Sequence, residues 1–191
     1  MYYSDTLPLI IGITGPIRAG KSTASKYLSE KYGYNFAPNA RVLKSILEAL
    51  GLPARRDLLA ATGDAIFADL GRDIIARARV AQVQAHEPLG DLRYVIDGIR
   101  YIEEIEVYKT LNNFKLIAIS ASDDIRYIRA KENIDTIKDG ELSASQFQNL
   151  NNRQSERYVE ILMNCADHRF ENVGTEIELK YAIDSFMSSF Y

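Results

Sequence analysis

Gly15-Pro-Ile-Arg-Ala-Gly-Lys-Ser22 is a complete G-x-x-x-x-G-K-[ST] pattern, and it sits between an apolar run and a helix-prone stretch, the context that gives such a pattern meaning. Leu9-Ile-Ile-Gly-Ile-Thr14 is β-branched and uncharged, as a strand buried on both faces should be. After the turn, the spacing predicts a helix over Lys21–Lys31, with Ala24, Tyr27, Leu28 and Lys31 on one face for packing against a sheet. A strand, a glycine-rich turn and a helix in this order point backbone N–H groups at an anion and add the positive end of a helix dipole. Gly15 and Gly20 leave room for a phosphate to approach the backbone, which Ile17 and Ala19 help to form. Lys21 is expected to bridge β- and γ-phosphates, Ser22 to place its hydroxyl on Mg²⁺, and Thr23 to lie near the α-phosphate. The expected ligands are therefore ATP and Mg²⁺. Arg18 is unusual inside such a turn, where small residues are common, and either reaches toward phosphate or faces solvent.

Beyond this turn the chain alternates strand and helix patterns. A strand near Tyr34–Phe36 precedes a helix near Ala40–Leu50 that stops at Gly51-Leu-Pro53. Helical patterns follow over Arg56–Ala61 and Gly71–Ala85, then the strand Tyr94–Asp97, a short helix Ile102–Leu111, the strand Lys115–Ser120 and a helix Asp123–Asn133. Asp135–Ser143 reads as a polar exposed segment, and Ser143-Ala-Ser-Gln146 as a capping box that opens another helix. A last strand, His168–Glu171, leads to Thr175-Glu-Ile-Glu178, the capping box of the C-terminal helix. Strands separated by helices imply a three-layer α/β/α fold with a central parallel sheet, right-handed crossovers and ligands at the carboxyl ends of the strands.

Length and composition narrow the function classes. At 191 residues the chain suits one domain, and 47% hydrophobic with 26% charged residues places it among globular proteins rather than disordered ones. The strongly apolar stretch Leu7–Ile13 is broken by Pro8 and Gly12 and falls far short of the roughly 20 residues a membrane span needs. The start Met-Tyr-Tyr-Ser-Asp-Thr lacks the positive region of a secretory signal, and the single Cys165 can form no internal disulfide, so a cytoplasmic location is expected. A net charge of −3 gives no general pull toward nucleic acid or anionic lipid. His86 and His168 have no cysteine companion near either of them and read as surface or satisfied polar residues.

Val95-Ile-Asp97 puts an acid at the carboxyl end of a buried strand, where a phosphate-binding fold uses a carboxylate to hold the metal's water shell or to orient an attacking oxygen. Arg100, three residues on, can bind an acceptor's phosphate or the transferring group. The competing readings are a strand-end cap for Asp97 and a surface ion pair with Glu103 or Glu104 for Arg100.

Asp97-Gly-Ile-Arg100 resembles the Asp-Gly-x-x-Arg segment of nucleoside monophosphate kinases and the Asp-Gly-Ile-Arg of archaeal kinases related to dephospho-coenzyme A kinase. Phe36-Ala-Pro-Asn-Ala-Arg41-Val-Leu-Lys44 and Leu58-Leu-Ala-Ala-Thr-Gly63-Asp64 are similar to phage-type deoxynucleoside monophosphate kinases. In those, the corresponding stretches lie around the acceptor, which implies Arg41 as an acceptor contact. Ala166-Asp167-His-Arg-Phe-Glu-Asn172-Val-Gly174 resembles the segment that passes the adenine of ATP in dephospho-coenzyme A kinases, implying adenine-side roles for Asn172 and Gly174. Such kinases also carry arginines on a closing segment. Arg126 and Arg129 share a helix face, and the resemblance places Arg129 near adenine and phosphates. Where the family commonly has a further arginine this chain has Asn133, and Arg153, with Arg157 one helical turn on, can supply the charge from the far side.

The resulting expectation is a single P-loop kinase domain over residues 1–191, with an acceptor-binding helical region at about 38–90 and a small helical lid at about 126–157. It would move the γ-phosphoryl group of ATP to a small phosphorylated acceptor, a nucleoside or deoxynucleoside monophosphate, with Lys21, Asp97, Arg100, Arg129 and Arg153 as the catalytic set. Dephospho-coenzyme A is the runner-up acceptor. The other classes are a nucleotide-binding regulator or slow ATPase, suggested by Arg18 and Asn133, and a kinase acting on nucleotides within DNA or RNA.

Overall fold

Ile10, Ile11 and Ile13 are wholly inaccessible to solvent, because the strand that carries them is paired on both sides and covered on both faces. This strand, β1 (Ile10–Thr14), is the centre of a five-stranded sheet. The computed structural model describes residues 10–86, 93–111, 113–132, 143–151 and 158–190. Arg153, Arg157, Asn133, Leu9 and the polar stretch 135–142 lie outside the described residues.

After β1 come α1 (Lys21–Tyr32), β2 (Asn35–Phe36), α2 (Asn39–Ala49), α3 (Arg56–Leu70) and α4 (Ile74–His86). The second half holds β3 (Tyr94–Asp97), α5 (Ile102–Tyr108), β4 (Phe114–Ser120), α6 (Asp123–Glu132), α7 (Ala144–Asn151), α8 (Val159–Asn164), β5 (His168–Glu171) and α9 (Glu176–Ser188). The strand order is β2-β3-β1-β4-β5, every pairing is parallel, and Ile13 stands opposite Asp97. Chain order reverses at β1, so the crevice at its carboxyl end, flanked by β3 and β4, is where such a sheet binds ligands.

The two-residue period of β1 divides the core. Ile11 and Ile13 pack with Val95, Ile117 and Ile119 against Leu28 of α1 and Leu179 and Ile183 of α9. Ile10 faces the other layer, with Ile96, Leu116, Ile105, Tyr108, Val83 and Leu162, which belong to the sheet and to α4, α5 and α8. Each such side chain stabilises the fold by about 1.5–3 kcal/mol through burial alone. The result is the expected α/β/α layering around a parallel sheet.

Three local expectations need correction. The helix expected to end at Ala61 runs to Leu70: Thr62 turns its hydroxyl back to the Leu58 carbonyl at 2.7 Å, and Gly63 is buried where α3 meets Leu43 of α2. In α1 the sheet-facing residues are Ala24, Ser25 and Leu28, whereas Tyr27 and Lys31 turn to Asp184 of α9, with bonds of 2.8 Å each. The short helix α8 follows a segment without a strong helical period and is not expected from the sequence. Both capping boxes form. Ser143 Oγ accepts from the Gln146 amide at 3.2 Å, and Glu178 Oε2 accepts from the Thr175 amide at 2.7 Å.

Candidate active site

The turn between β1 and α1 is built for close approach to its backbone. Gly15 and Gly20 have φ of +141° and +108°, and a Cβ at either would collide, with the Ile119 carbonyl oxygen and Asn172 Nδ2 respectively. Arg18 takes a left-handed φ of +64°, a conformation that costs a non-glycine residue on the order of 1 kcal/mol. Ala19 is fully buried beneath the turn. Lys21 folds back over the loop, donating from Nζ to the Gly15 and Pro16 carbonyls at 2.9 and 2.8 Å. Thr14 donates its hydroxyl to the Ile99 carbonyl at 3.1 Å, which fastens the turn to the segment after β3.

On the neighbouring strand, Asp97 accepts a hydrogen bond from Ser22 at 2.9 Å, Oγ to Oδ2. The parallel register that sets Asp97 opposite Ile13 brings this carboxylate to the first residues of α1. A hydroxyl and a carboxylate side by side, within reach of a glycine cradle, form an oxygen donor set suited to Mg²⁺ with most of its water shell retained. The residues present therefore fit a magnesium-bound nucleotide.

The loop after β5 closes the cradle from the other side. Asn172 is buried, takes its backbone bond from the Ser120 carbonyl at 2.7 Å, and donates from Nδ2 to the Ala19 carbonyl at 2.8 Å. Arg129, on α6, donates from Nη2 to Asn172 Oδ1 at 3.3 Å and to the Gly174 carbonyl at 3.1 Å. Arg126, one turn earlier, is buried: it donates to the Ile17 carbonyl at 3.1 Å, pairs with Asp123 and lies 5.4 Å from the Phe147 ring centre. Thus the two arginines of α6 engage the phosphate turn at different points, Arg126 directly and Arg129 through Asn172.

In front of the turn lies a cavity of about 830 Å³. Ile17, Arg18, Gly20, Lys21, Ser22 and Thr23 line it on one side, and Asp97, Gly98, Arg100 and Arg129 extend that lining. The helices α2 and α3 complete it with Asn39, Leu43, Leu59, Asp64 and Phe67. Glu104, only 1% exposed, sits at its edge. Glu104 Oε2 accepts from the backbone N–H groups of Arg100 and Tyr101 at 2.7 and 3.1 Å, and Oε1 accepts from Asn39 Nδ2 at 2.7 Å. Burial lifts its carboxyl from the ordinary 4.5 to about 7 despite these bonds. Glu103 pairs with Arg72 at 3.5 Å.

A family profile described as AAA domain matches residues 11–159, which is most of the chain and includes the cradle, Asp97 and Arg100. The chain belongs to the AAA domain family. No curated protein matches this AAA-domain chain in sequence. Among solved structures it is similar to TT1252 from Thermus thermophilus, with 21% identity and a TM-score of 0.59 over 96% of this chain and 98% of that one. A sugar kinase from Janibacter sp. HTCC2649 gives 13% identity and 0.59 over 94% of each chain. Shikimate kinase from Acinetobacter baumannii, solved with shikimate, gives 19% and 0.55 over 97% of this chain and 95% of that one. At these identities the likeness establishes the fold, a P-loop kinase-like α/β architecture. No helix among the described residues of this AAA-domain chain is long and apolar enough to cross a membrane.

Of the residues singled out in the sequence, the structure gathers Ile17, Arg18, Gly20, Lys21, Ser22, Thr23, Asp97, Arg100 and Arg129 around one cavity. Gly15 and Ala19 lie in the turn beneath it, and Asn172 and Gly174 hold Arg129 there. Arg41 does not line this cavity; it is exposed, its guanidinium 6.0 Å from the Phe36 ring centre. Sequence reasoning misses Asn39, Asp64 and Glu104 as functional residues. Asn39 and Asp64 do lie within the two stretches that resemble acceptor-binding segments, which is the signal that could have found them.

Proposed function

We propose that the chain is an ATP-dependent phosphotransferase that moves the γ-phosphoryl group to a small phosphorylated acceptor of the nucleoside monophosphate class. The observation that carries the reading is the Ser22–Asp97 hydrogen bond at the mouth of a glycine cradle, with Arg100 on the same cavity wall. Lys21 would leave the Gly15 and Pro16 carbonyls and take the β- and γ-phosphates, with backbone N–H groups of the turn behind it. Ser22 and Asp97 would hold Mg²⁺, which when bound neutralises phosphate charge. Asp97 would also align the attacking acceptor oxygen, Arg100 would bind the acceptor's phosphate, and Arg129 would place a guanidinium beside the nucleotide. Arg153 is proposed as a second cation from the far side. The whole chain would act as one kinase domain, with helices from about 38–90 shaping the acceptor side and about 126–157 serving as lid.

Purified protein with Mg·ATP, assayed for ADP with each ribo- and deoxyribonucleoside monophosphate, dephospho-coenzyme A, shikimate and gluconate, tests this reading. ADP formation stimulated by a nucleoside monophosphate, with a new diphosphate product, is the expected result. Stimulation only by dephospho-coenzyme A or by a non-nucleotide alcohol would replace the acceptor class. Turnover unaffected by any acceptor would replace the kinase with a slow ATPase.

A further inference from the structure

Asn39 opens α2 at the cavity wall and is 7% exposed. The orientation of its amide is decided by its surroundings. Nδ2 donates to the Gly98 carbonyl at 3.2 Å and to Glu104 Oε1 at 2.7 Å, and flipping the amide would set oxygen against both acceptors. Oδ1 is therefore the atom left over. It is buried, and no donor among the described residues reaches it. A buried carbonyl oxygen without a donor is costly, and native structures keep such atoms where a water or a ligand completes them.

The cavity's cations are distributed unevenly. Arg18, Lys21, Arg100 and Arg129 come from the phosphate turn, the segment after β3, and α6. The described lining from α2 and α3 brings Asn39, Asp64 and apolar side chains such as Leu43 and Phe67, and no cation. A complementary acceptor is anionic toward the first group and offers hydrogen-bond donors and apolar surface toward the second. Asn39 is also near the chemistry, since the carbonyl it holds belongs to Gly98, the residue after Asp97.

We infer that Asn39 is a specificity residue whose Oδ1 accepts a hydrogen bond from an O–H or N–H group of the acceptor, so that this wall selects acceptors carrying a donor there. The inference rests on the cavity being the acceptor site. The donor is either a sugar hydroxyl or a nucleobase amino or imino group, and the same experiment separates the two. The nucleoside monophosphate that the wild type binds most tightly is titrated by calorimetry against analogues lacking the 2′-hydroxyl, the 3′-hydroxyl or the base donor. For the wild type, one analogue binds about tenfold or more weakly than the parent, because it leaves Oδ1 unpaired. For Asn39→Ala, parent and that analogue bind within about twofold, the signature of a pairwise contact.

Analogues that all match the parent in the wild type overturn the inference, and so does a loss that persists in Asn39→Ala. If Asn39→Ala does not fold, Asn39→Ser, which keeps a donor for Gly98 or Glu104, and the wild-type series decide the matter. Binding is read separately from turnover. Discrimination through Asn39 without acceptor-stimulated ADP leaves the contact standing and removes the transfer reading; stimulated ADP without discrimination does the reverse. No binding by any nucleoside monophosphate removes both.

Discussion

Asn172 and Ala19 are 153 positions apart in sequence, yet Asn172 Nδ2 donates to the Ala19 carbonyl at 2.8 Å and is the peg that holds the phosphate turn to the loop after β5. Asn172 Oδ1 at the same time receives Arg129. Asn172→Ala removes a buried partner from both ends, so a loss of about 1–3 kcal/mol in folding stability is expected, read from urea unfolding. Arg129 keeps the Gly174 carbonyl, so Arg129→Ala should cost less stability than Asn172→Ala.

Gly20→Ala should damage nucleotide binding more than folding. The residue has φ +108°, and its new Cβ would push on Asn172 Nδ2, so the turn would shift away from the peg just described. Strain of about 1–3 kcal/mol in the bound geometry corresponds to roughly 5- to 150-fold weaker Mg·ATP binding in calorimetry. An unchanged affinity would mean that nucleotide does not sit on this turn.

Asp97→Asn keeps the shape of the side chain and an oxygen for the Ser22 hydroxyl while removing the charge. ATP binding without metal should stay within a few-fold of wild type, and acceptor-stimulated turnover should fall by about 10²–10³, with a higher Mg²⁺ requirement. Lys21→Ala should instead weaken ATP binding itself. Wild-type turnover by Asp97→Asn would assign that carboxylate a merely structural role.

The site is legible in the sequence to the extent that one short segment carries it. Gly15 to Thr23 are contiguous, and strand, turn and helix follow from local pattern, so residue spacing alone is enough to place the cradle. Asp97 stands out because a strand's carboxyl end is a recognisable location. Asn39 and Glu104 do not stand out, because what makes them notable is not local: a buried amide between Gly98 and Glu104 depends on α2 and α5 meeting, a contact across 65 positions. The length of α3 is hidden for a related reason. A glycine in mid-helix is unfavourable by about 1 kcal/mol, and only the packing of Gly63 against Leu43 explains why the helix continues. Arg126 reads as a surface cation by its pattern but is buried by contacts with Ile17 and Phe147, which come from other parts of the chain.

Glu104 gives the fold a pH dependence opposite to that of a salt-bridged acid. Unfolded, its carboxyl titrates near 4.5; folded, burial holds it at about 7. Between those values the folded chain binds a proton that the unfolded chain has released, so the contribution of Glu104 is fully present below about pH 4.5 and is lost as pH rises to about 7. The shift corresponds to about 3 kcal/mol. Glu104→Gln cannot titrate, so although it loses charge-assisted bonds to Arg100 and Tyr101 at every pH, its stability relative to wild type should improve by about that amount from pH 4.5 to 7.5. Urea unfolding of both proteins at four pH values across this range measures the difference directly. Two curves that stay parallel would place the titration of Glu104 outside the window and mean that its three hydrogen bonds fully offset its burial.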